Sequence, residues 1–324
     1  MKKILALILP LFLLCACSGE DAVSPPGDDL IVIGLSQVGA ESDWRVANSE
    51  SMKAVFTEEN GYRLLFDDAR QKQENQFIAM RKFIQQQVDY IVLMPLSETG
   101  WDSVLQEAKD AGIPVILVDR RVDVRSESLY TAHVGSDFAM EGRQATEWIE
   151  ETYADAESVH IVHIQGTLGS TAQIGRTNAL DSAVALHENW RILARLDGDF
   201  TQAKAYEVMS QYLDEAGDDI RIDVVYCEND NEAFGAMEAL QERGYVCGED
   251  VNIITFDATR KALELCMDGR IALAVECNPL LGELVEDIIR SLEAGERPEK
   301  HLYVEEQCFT PDTVTEDLIA RRSY

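Results

Sequence analysis

The chain is built from short apolar, β-branched runs, and most of them end in a polar cluster. Leu30–Leu35 leads to Glu41, Trp44 and Arg45. Tyr62–Phe66 leads to Asp67 and Asp68, and Tyr90–Met94 to Ser97, Thr99 and Trp101. Pro114–Val118 ends in Asp119-Arg120, and Val159–Ile164 leads to Gln165 and Arg176. Val224–Cys227 ends in Glu228-Asn229-Asp230, and Val251–Phe256 in Asp257. In open α/β sheets, ligands bind just outside the carboxyl ends of the strands. So many clusters at that position predict a pocket assembled from nearly every strand.

Helix-length amphipathic segments separate the runs. In Lys72–Gln87, residues Phe77, Met80, Ile84 and Val88 recur at helical spacing. A helix from about Thr99 to Ala111 stops at Gly112-Ile113-Pro114, residue types that usually end one. Further helices are expected near Asp43–Glu59, Thr171–His187, Thr201–Glu215, Asn231–Gly244, Thr259–Met267 and Leu280–Ala294. Additional strands are Arg191–Leu196, Ile271–Val275 and a final segment, His301–Phe309. A weaker run, Tyr130–Val134, is the candidate crossing to a second domain. Strands alternating with helices imply parallel sheets covered on both faces. Two such series in 324 residues imply an α/β protein of two doubly wound parallel-sheet lobes.

Charge excludes some functions. There are 28 Lys and Arg against 59 Asp and Glu, a formal net charge of −31. Too few cations are present to neutralise phosphates, so no nucleic-acid partner is expected. The excess of acid reads as a solubility device. There is no Gly-x-Ser-x-Gly elbow, HExxH or Gly-rich phosphate loop, so the chain is not expected to be an enzyme or to need a cofactor.

The N-terminus reads as a targeting segment. Lys2 and Lys3 precede an apolar run, Ile4–Leu14, too short for a stable membrane span. Leu14-Cys15-Ala16-Cys17-Ser18 resembles a bacterial lipobox. That resemblance implies a signal peptide over 1–16 and lipidation of Cys17. Residues 17–29, with Ser24-Pro25-Pro26-Gly27, then form a flexible tether at the outer face of the membrane. Beyond it lie Cys227, Cys247, Cys266, Cys277 and Cys308, an odd number that cannot all pair within one chain. Cys227 and Cys277 sit in apolar runs and read as buried small hydrophobes. His160 and His163 point to opposite faces of one strand, so no metal site is expected from them.

Several stretches carry a family resemblance: Gly34–Gly39, Glu41-Ser-Asp-Trp-Arg45, Gln71–Gln76, Thr99-Gly-Trp101, Asp119-Arg120, Gln165-Gly-Thr167, Arg176, Glu228-Asn-Asp230 and Asp257. With these, in this order over most of the chain, the sequence resembles the type I periplasmic sugar-binding proteins, solute receptors of ABC transporters. Within them it is most similar to the galactofuranose-binding members. It departs from that subgroup at Gly175-Arg176, where an acidic-Arg pair is common, at Ala69-Arg70, which replaces a Gly-Gln pair, and at Glu228, where His is expected.

The resemblance implies a three-segment hinge crossing near Ala132–Gly135, Glu276–Asn278 and Val304–Gln307. One lobe is then 30–134 plus 279–304, the other 135–278 plus 305–324. It implies lobe closure on a monosaccharide, galactofuranose or a related aldose, which a monomeric receptor delivers to permease subunits. The alternative is the ligand-binding part of a sugar-sensing system, with a histidine kinase or chemoreceptor as partner. Sugar chemistry suits the candidate residues. Carboxylates accept hydroxyl protons, Arg donates from a planar fork, and aromatic rings pack on the C–H face of a sugar. The candidates are Glu41, Trp44, Arg45, Asp68, Trp101, Asp119, Arg120, Arg176, Asn229, Asp230, Asp257 and Asn278. Trp44 and Trp101 could equally be core residues, and Asn229 and Asp230 could simply cap the next helix.

Overall fold

The computed structural model describes residues 30–217 and 220–324. The expected signal peptide, Cys17 and the tether lie outside the described residues. The first sheet contains β1 (Ile31–Gln37), β2 (Tyr62–Asp68), β3 (Tyr90–Leu93), β4 (Val115–Val118) and β5 (Ala132–Gly135). The second contains β6 (Val159–Gln165), β7 (Trp190–Asp197), β8 (Val224–Cys227), β9 (Asn252–Asp257) and β10 (Leu273–Glu276). The late strand β11 (His301–Tyr303) joins the first sheet, and β12 (Cys308–Phe309) the second. The strand orders are β11-β5-β4-β3-β1-β2 and β12-β10-β9-β8-β6-β7. The sheets therefore have the same winding, with a switch point beside β1 in one and beside β6 in the other. All pairings are parallel except β12 on β10, which departs from the all-parallel expectation.

Helices cover both faces of each sheet. They are α1 (Asp43–Val55), α2 (Gln73–Gln86), α3 (Asp102–Asp110), α4 (Phe138–Thr152), α5 (Thr171–Leu186), α6 (Gln202–Ala216), α7 (Asp230–Glu242), α8 (Arg260–Met267), α9 (Gly282–Glu293) and α10 (Glu316–Arg321). Central strands β3, β4 and β8 are buried along their whole length, so they read as unbroken apolar runs. Edge strands β2 and β7 expose part of one face and mix polar residues in. Each sheet has an apolar core on either side. A fifth, small cluster of Trp44, Phe138, Ala172, Phe200 and Cys277 lies between the sheets. Among the described residues, no helix is long and apolar enough to cross a membrane.

The chain passes between the sheets three times: after β5 into α4, after β10 into α9, and between β11 and β12. The first passage follows Gly135 rather than lying within Ala132–Gly135, which is β5 itself. The second begins as β10 ends at Glu276, and the third coincides with Val304–Gln307. The expected final strand is thus two short strands in different sheets.

Helix α4 has no counterpart in the sequence reading. Its buried face is Phe138, Glu141, Gly142, Ala145, Thr146 and Ile149, half of it not apolar, so the helical period is masked. The short α10 is likewise unanticipated.

The pairing of α6 with α7 depends on Gly235. A Cβ there would stand 2.2 Å from the Gln202 carbonyl oxygen and 2.8 Å from the Tyr206 nitrogen. Both neighbours are backbone, so neither can swing away. Gly235→Ala should destabilise the fold by about 2 kcal/mol, the scale of overpacking in a close-packed interior, read as a lower urea midpoint.

Candidate functional site

The strand ends of the two sheets face one another across a narrow cleft. It is lined by Glu41, Ser42, Trp44, Arg45, Asp119, Arg120, Phe138, Ala172, Arg176, Phe200, Asn229, Asp257 and Cys277. Helix starts bring these side chains together. Ser42, Asp137, Ser170, Thr201 and Asn229 each cap a helix by accepting a backbone N–H, and all lie next to lining residues. Asp119 and Asp257, at the ends of β4 and β9, adopt positive φ of 65° and 103°. Such backbone strain at a non-glycine residue persists only where the surroundings enforce it, and it clusters at functional sites.

Three arginines and the carboxylates of Glu41, Asp119 and Glu141 are packed together in this buried region. Arg45 Nε meets Glu41 Oε1 at 3.0 Å and its Nη2 meets Asp119 Oδ2 at 2.7 Å. Arg120 donates to the Leu96 carbonyl oxygen at 3.0 Å. It approaches Glu41 and Asp119 only to 3.7 and 3.8 Å. Arg176 Nε meets Glu141 Oε2 at 2.7 Å, and its Nη1 donates to the Glu228 carbonyl oxygen. Each guanidinium is also backed by an aromatic ring: Trp44 at 4.6 Å, Phe200 at 5.2 Å and Phe256 at 4.6 Å from Arg45, Arg120 and Arg176 respectively.

Several polar atoms there lack a partner. Glu41 Oε2, Arg45 Nη1 and Arg120 Nε are buried with no hydrogen bond. Burial, and then the charge of Arg45, pull the Arg120 guanidinium down to about 10. Burial, and then Asp230, push the Asp257 carboxyl well up. Buried polar groups are nearly always satisfied, so these atoms are open to polar partners from outside the chain, water included.

The expected residues divide cleanly. Glu41, Trp44, Arg45, Asp119, Arg120, Arg176, Asn229 and Asp257 line the cavity. Asp68, Trp101, Asp230 and Asn278 stand elsewhere. Asp68 is exposed on edge strand β2, and its Oδ1 accepts from the Arg70 N–H at 2.8 Å. Trp101 is fully buried in the core, with its Nε1 donating to the Ser97 carbonyl oxygen at 2.7 Å. Asp230 uses its carboxylate on Thr255 Oγ1, Thr259 Oγ1 and the Thr259 N–H, tying α7 to β9 and α8. Asn278 caps a turn by accepting from the Leu280 N–H at 2.9 Å.

Sequence reasoning missed Phe138 and Phe200, the two rings that complete the apolar wall. Phe200 had the same signal as the rest, since Asp197-Gly198-Asp199 follows β7. Its loop is clamped from α7: the Phe200 N–H donates to Glu232 Oε1 at 2.9 Å, and Asn229 Nδ2 donates to the Phe200 carbonyl oxygen at 3.1 Å.

Two of the three departures from the family pattern also have physical reasons. At Gly175 a Cβ would lie 2.7 Å from Phe138 Cβ, and Glu141 of α4 supplies the carboxylate for Arg176 instead. Glu228 turns away from the cavity. It accepts from His163 at 2.9 Å, Thr177 Oγ1 at 2.6 Å and the Gly166 N–H at 2.9 Å.

Known proteins share this arrangement. Residues 33–296 match the periplasmic binding protein domain family. The galactofuranose-binding protein YtfQ of Escherichia coli strain K12 is 35% identical over 294 residues, covering 90% of this chain and 92% of its own. A Mycobacterium smegmatis protein solved with β-D-fucofuranose superposes with a TM-score of 0.86 at 40% identity, covering 91% of this chain and 95% of that one. The binding component of the arabinose ABC transporter of Shewanella sp. ANA-3, solved with L-arabinofuranose, gives 0.84 at 38% identity, covering 90% and 95%. Together with the paired sheets and the cleft between them, these matches place the chain in the periplasmic binding protein family, whose members are receptors and not enzymes.

Proposed function

We propose that the protein is an exported receptor that closes its two lobes on a furanose-form monosaccharide and presents it to an ABC transporter permease. The observation that carries this reading is the set of unpartnered buried atoms, Glu41 Oε2, Arg45 Nη1 and Arg120 Nε, around a cavity walled by Trp44, Phe138 and Phe200. Donors and acceptors interspersed over apolar rings are complementary to a small polyol with an apolar C–H face. The three relatives described above are named for furanose sugars or solved with them, which supports a five-membered ring; galactofuranose is the leading ligand. Lobes of 30–134 plus 279–304 and 135–278 plus 305–324 would rotate about the three connections. The sugar favours the closed form because only there does it touch both walls. A signal peptide over 1–16 would be removed on export, and a lipid on Cys17 would then hold the receptor at the membrane through the 17–29 tether.

Titration calorimetry of the soluble form, with galactose, arabinose, fucose, ribose, glucose and xylose, tests the reading. Galactose should bind with a fractional stoichiometry equal to its furanose content, and glucose should give no heat. Full stoichiometry with a pyranose, or silence across the panel from folded, ligand-free protein, would sink the furanose assignment.

Two substitutions test the geometry. Arg120→Ala should weaken sugar binding about a hundredfold, because it removes a buried charged donor and leaves Glu41 facing an emptied site. Its urea midpoint should stay close to that of the parent. Asp68→Ala should leave the dissociation constant unchanged within about a factor of two, since the side chain faces solvent on an edge strand. A large loss there would return Asp68 to the site.

A further inference from the structure

The three connections between the sheets meet around one carboxylate. Glu306 lies in the third connection. Its Oε1 accepts from Ser136 Oγ of the first connection at 2.6 Å and from the Asn278 N–H of the second at 2.8 Å. Its Oε2 is buried and has no partner. Glu141 approaches the same point. One of its oxygens holds Arg176, and the other, Oε1, is buried and unpartnered. A carboxylate oxygen from each of Glu141 and Glu306, together with Cys277 Sγ, lie within 4.8 Å of one another. Ser136 Oγ stands 3.3 Å from that sulfur. The cluster adjoins the cavity, since both Cys277 and Arg176 line it.

The charges that face Glu306 are Glu141 on α4 and Arg176 on α5. The thiols of Cys277 and of Cys308 on β12 lie in the same field, and Asp257 on β9 adds a negative charge at Cys277. Among the described residues, Arg176 is the cation that acts on Glu306, and its ion pair is with Glu141. A second bare carboxylate beside that pair, away from water, is unfavourable. Burial first, and then the charge of Glu141, push the Glu306 carboxyl up to about 8.

We propose that Glu306 is a proton-binding site at the hinge, and that a proton is taken up there when the lobes close on sugar. The proposal rests on the sugar-receptor reading. The shell around Glu306 is drawn from all three connections, so it is complete in only one mutual arrangement of them. Parting the lobes changes backbone angles in those connections. Water then reaches the carboxylate, and its proton affinity falls back toward the ordinary value. The closed form therefore binds the proton more tightly, and by linkage the proton favours closure. The sign follows from the direction of the shift. The ordinary value is 4.5 and the value in the present arrangement about 8, so forming this arrangement takes up a proton between those limits. Sugar affinity falls as pH rises through that window and levels off above it.

Calorimetry at about pH 6.5 in two buffers of different ionisation enthalpy counts the protons taken up per sugar bound. The parent protein should take up close to one, and its dissociation constant should rise about a hundredfold between about pH 5.5 and pH 8. Glu306→Gln keeps an acceptor for Ser136 and Asn278 while mimicking the neutral acid. It should show no uptake at this site and a flat profile. Absence of uptake in the parent, or unchanged uptake in Glu306→Gln, would overturn the proposal. An affinity lost on adding a chelator, with no proton uptake, would assign the cluster to a divalent ion and overturn it too. If no sugar gives heat, the sugar reading has failed and thermal unfolding decides this proposal alone. The parent midpoint should then fall relative to Glu306→Gln as pH rises from about 5 to about 8, and parallel curves would overturn it.

Discussion

The cleft depends on one bridge, in which Arg45 joins Glu41 of its own helix region to Asp119 at the end of β4. Taking such charges out of water costs several kcal/mol each, and only good geometry with further hydrogen bonds recovers it. The bridge meets part of that demand. It fixes the start of α1 against β4, holds Asp119 in its strained backbone, and brings Arg120 close beside it. What it leaves unsatisfied is as informative as what it pairs. Replacing a buried ion network by apolar residues of the same volume is often neutral or stabilising, so the network itself is weak evidence for stability.

The rest of the fold serves to hold these groups still. Helix caps at Ser42, Asp137, Ser170, Thr201 and Asn229 fix where each helix begins, and so where the neighbouring side chain points. The Glu228 network lies one layer behind, joining β6, α5 and β8 through His163, Thr177 and Gly166. Arg176 is gripped by Glu141 on one side and by the Glu228 carbonyl oxygen on the other. A donor fixed on two sides loses little freedom when a ligand arrives, which favours affinity without added contacts.

Much of the architecture was legible because parallel strands buried on both faces read as unbroken apolar runs, as β3, β4 and β8 do. Helix α4 was not, because Glu141, Gly142 and Thr146 occupy its buried face for reasons that arise only in the folded protein. Glu141 is there to hold Arg176, and Gly142 allows α5 to approach, with Ala179 Cβ 2.6 Å from where a Cβ would be. The site residues were legible wherever a polar residue directly ends a strand, as at Asp119, Arg120 and Asp257. The same rule misplaced Asp68, because it cannot separate an edge strand from a central one. Trp101, which the sequence leaves open between a stacking ring and a core residue, packs in the core, with the Phe77 ring 5.0 Å away in an edge-type contact. Phe138 and Phe200 were missed because apolar residues next to polar clusters look like ordinary core.

The two arginines over Glu41 and Asp119 are not equivalent, and the difference says where a ligand must make its strongest contact. Arg45 has close hydrogen bonds to both carboxylates, and although burial opposes its charge, Asp119 and Glu41 raise its proton affinity above the ordinary value. Arg120 sits about 1 Å further from the same two groups, has one good bond to a backbone carbonyl, and feels the neighbouring cation. Arg45 is therefore mainly structural, with one spare donor. Arg120 is the under-satisfied charge, lying over the Phe200 ring with its Nε unpartnered. A hydroxyl oxygen placed there gains a charge-assisted hydrogen bond worth about 1.5–3 kcal/mol where water is excluded. Asp257, on the facing sheet, is pushed toward its neutral form by burial. Under the proposed closure, a ligand that reaches both Arg120 and Asp257 would bridge the two lobes.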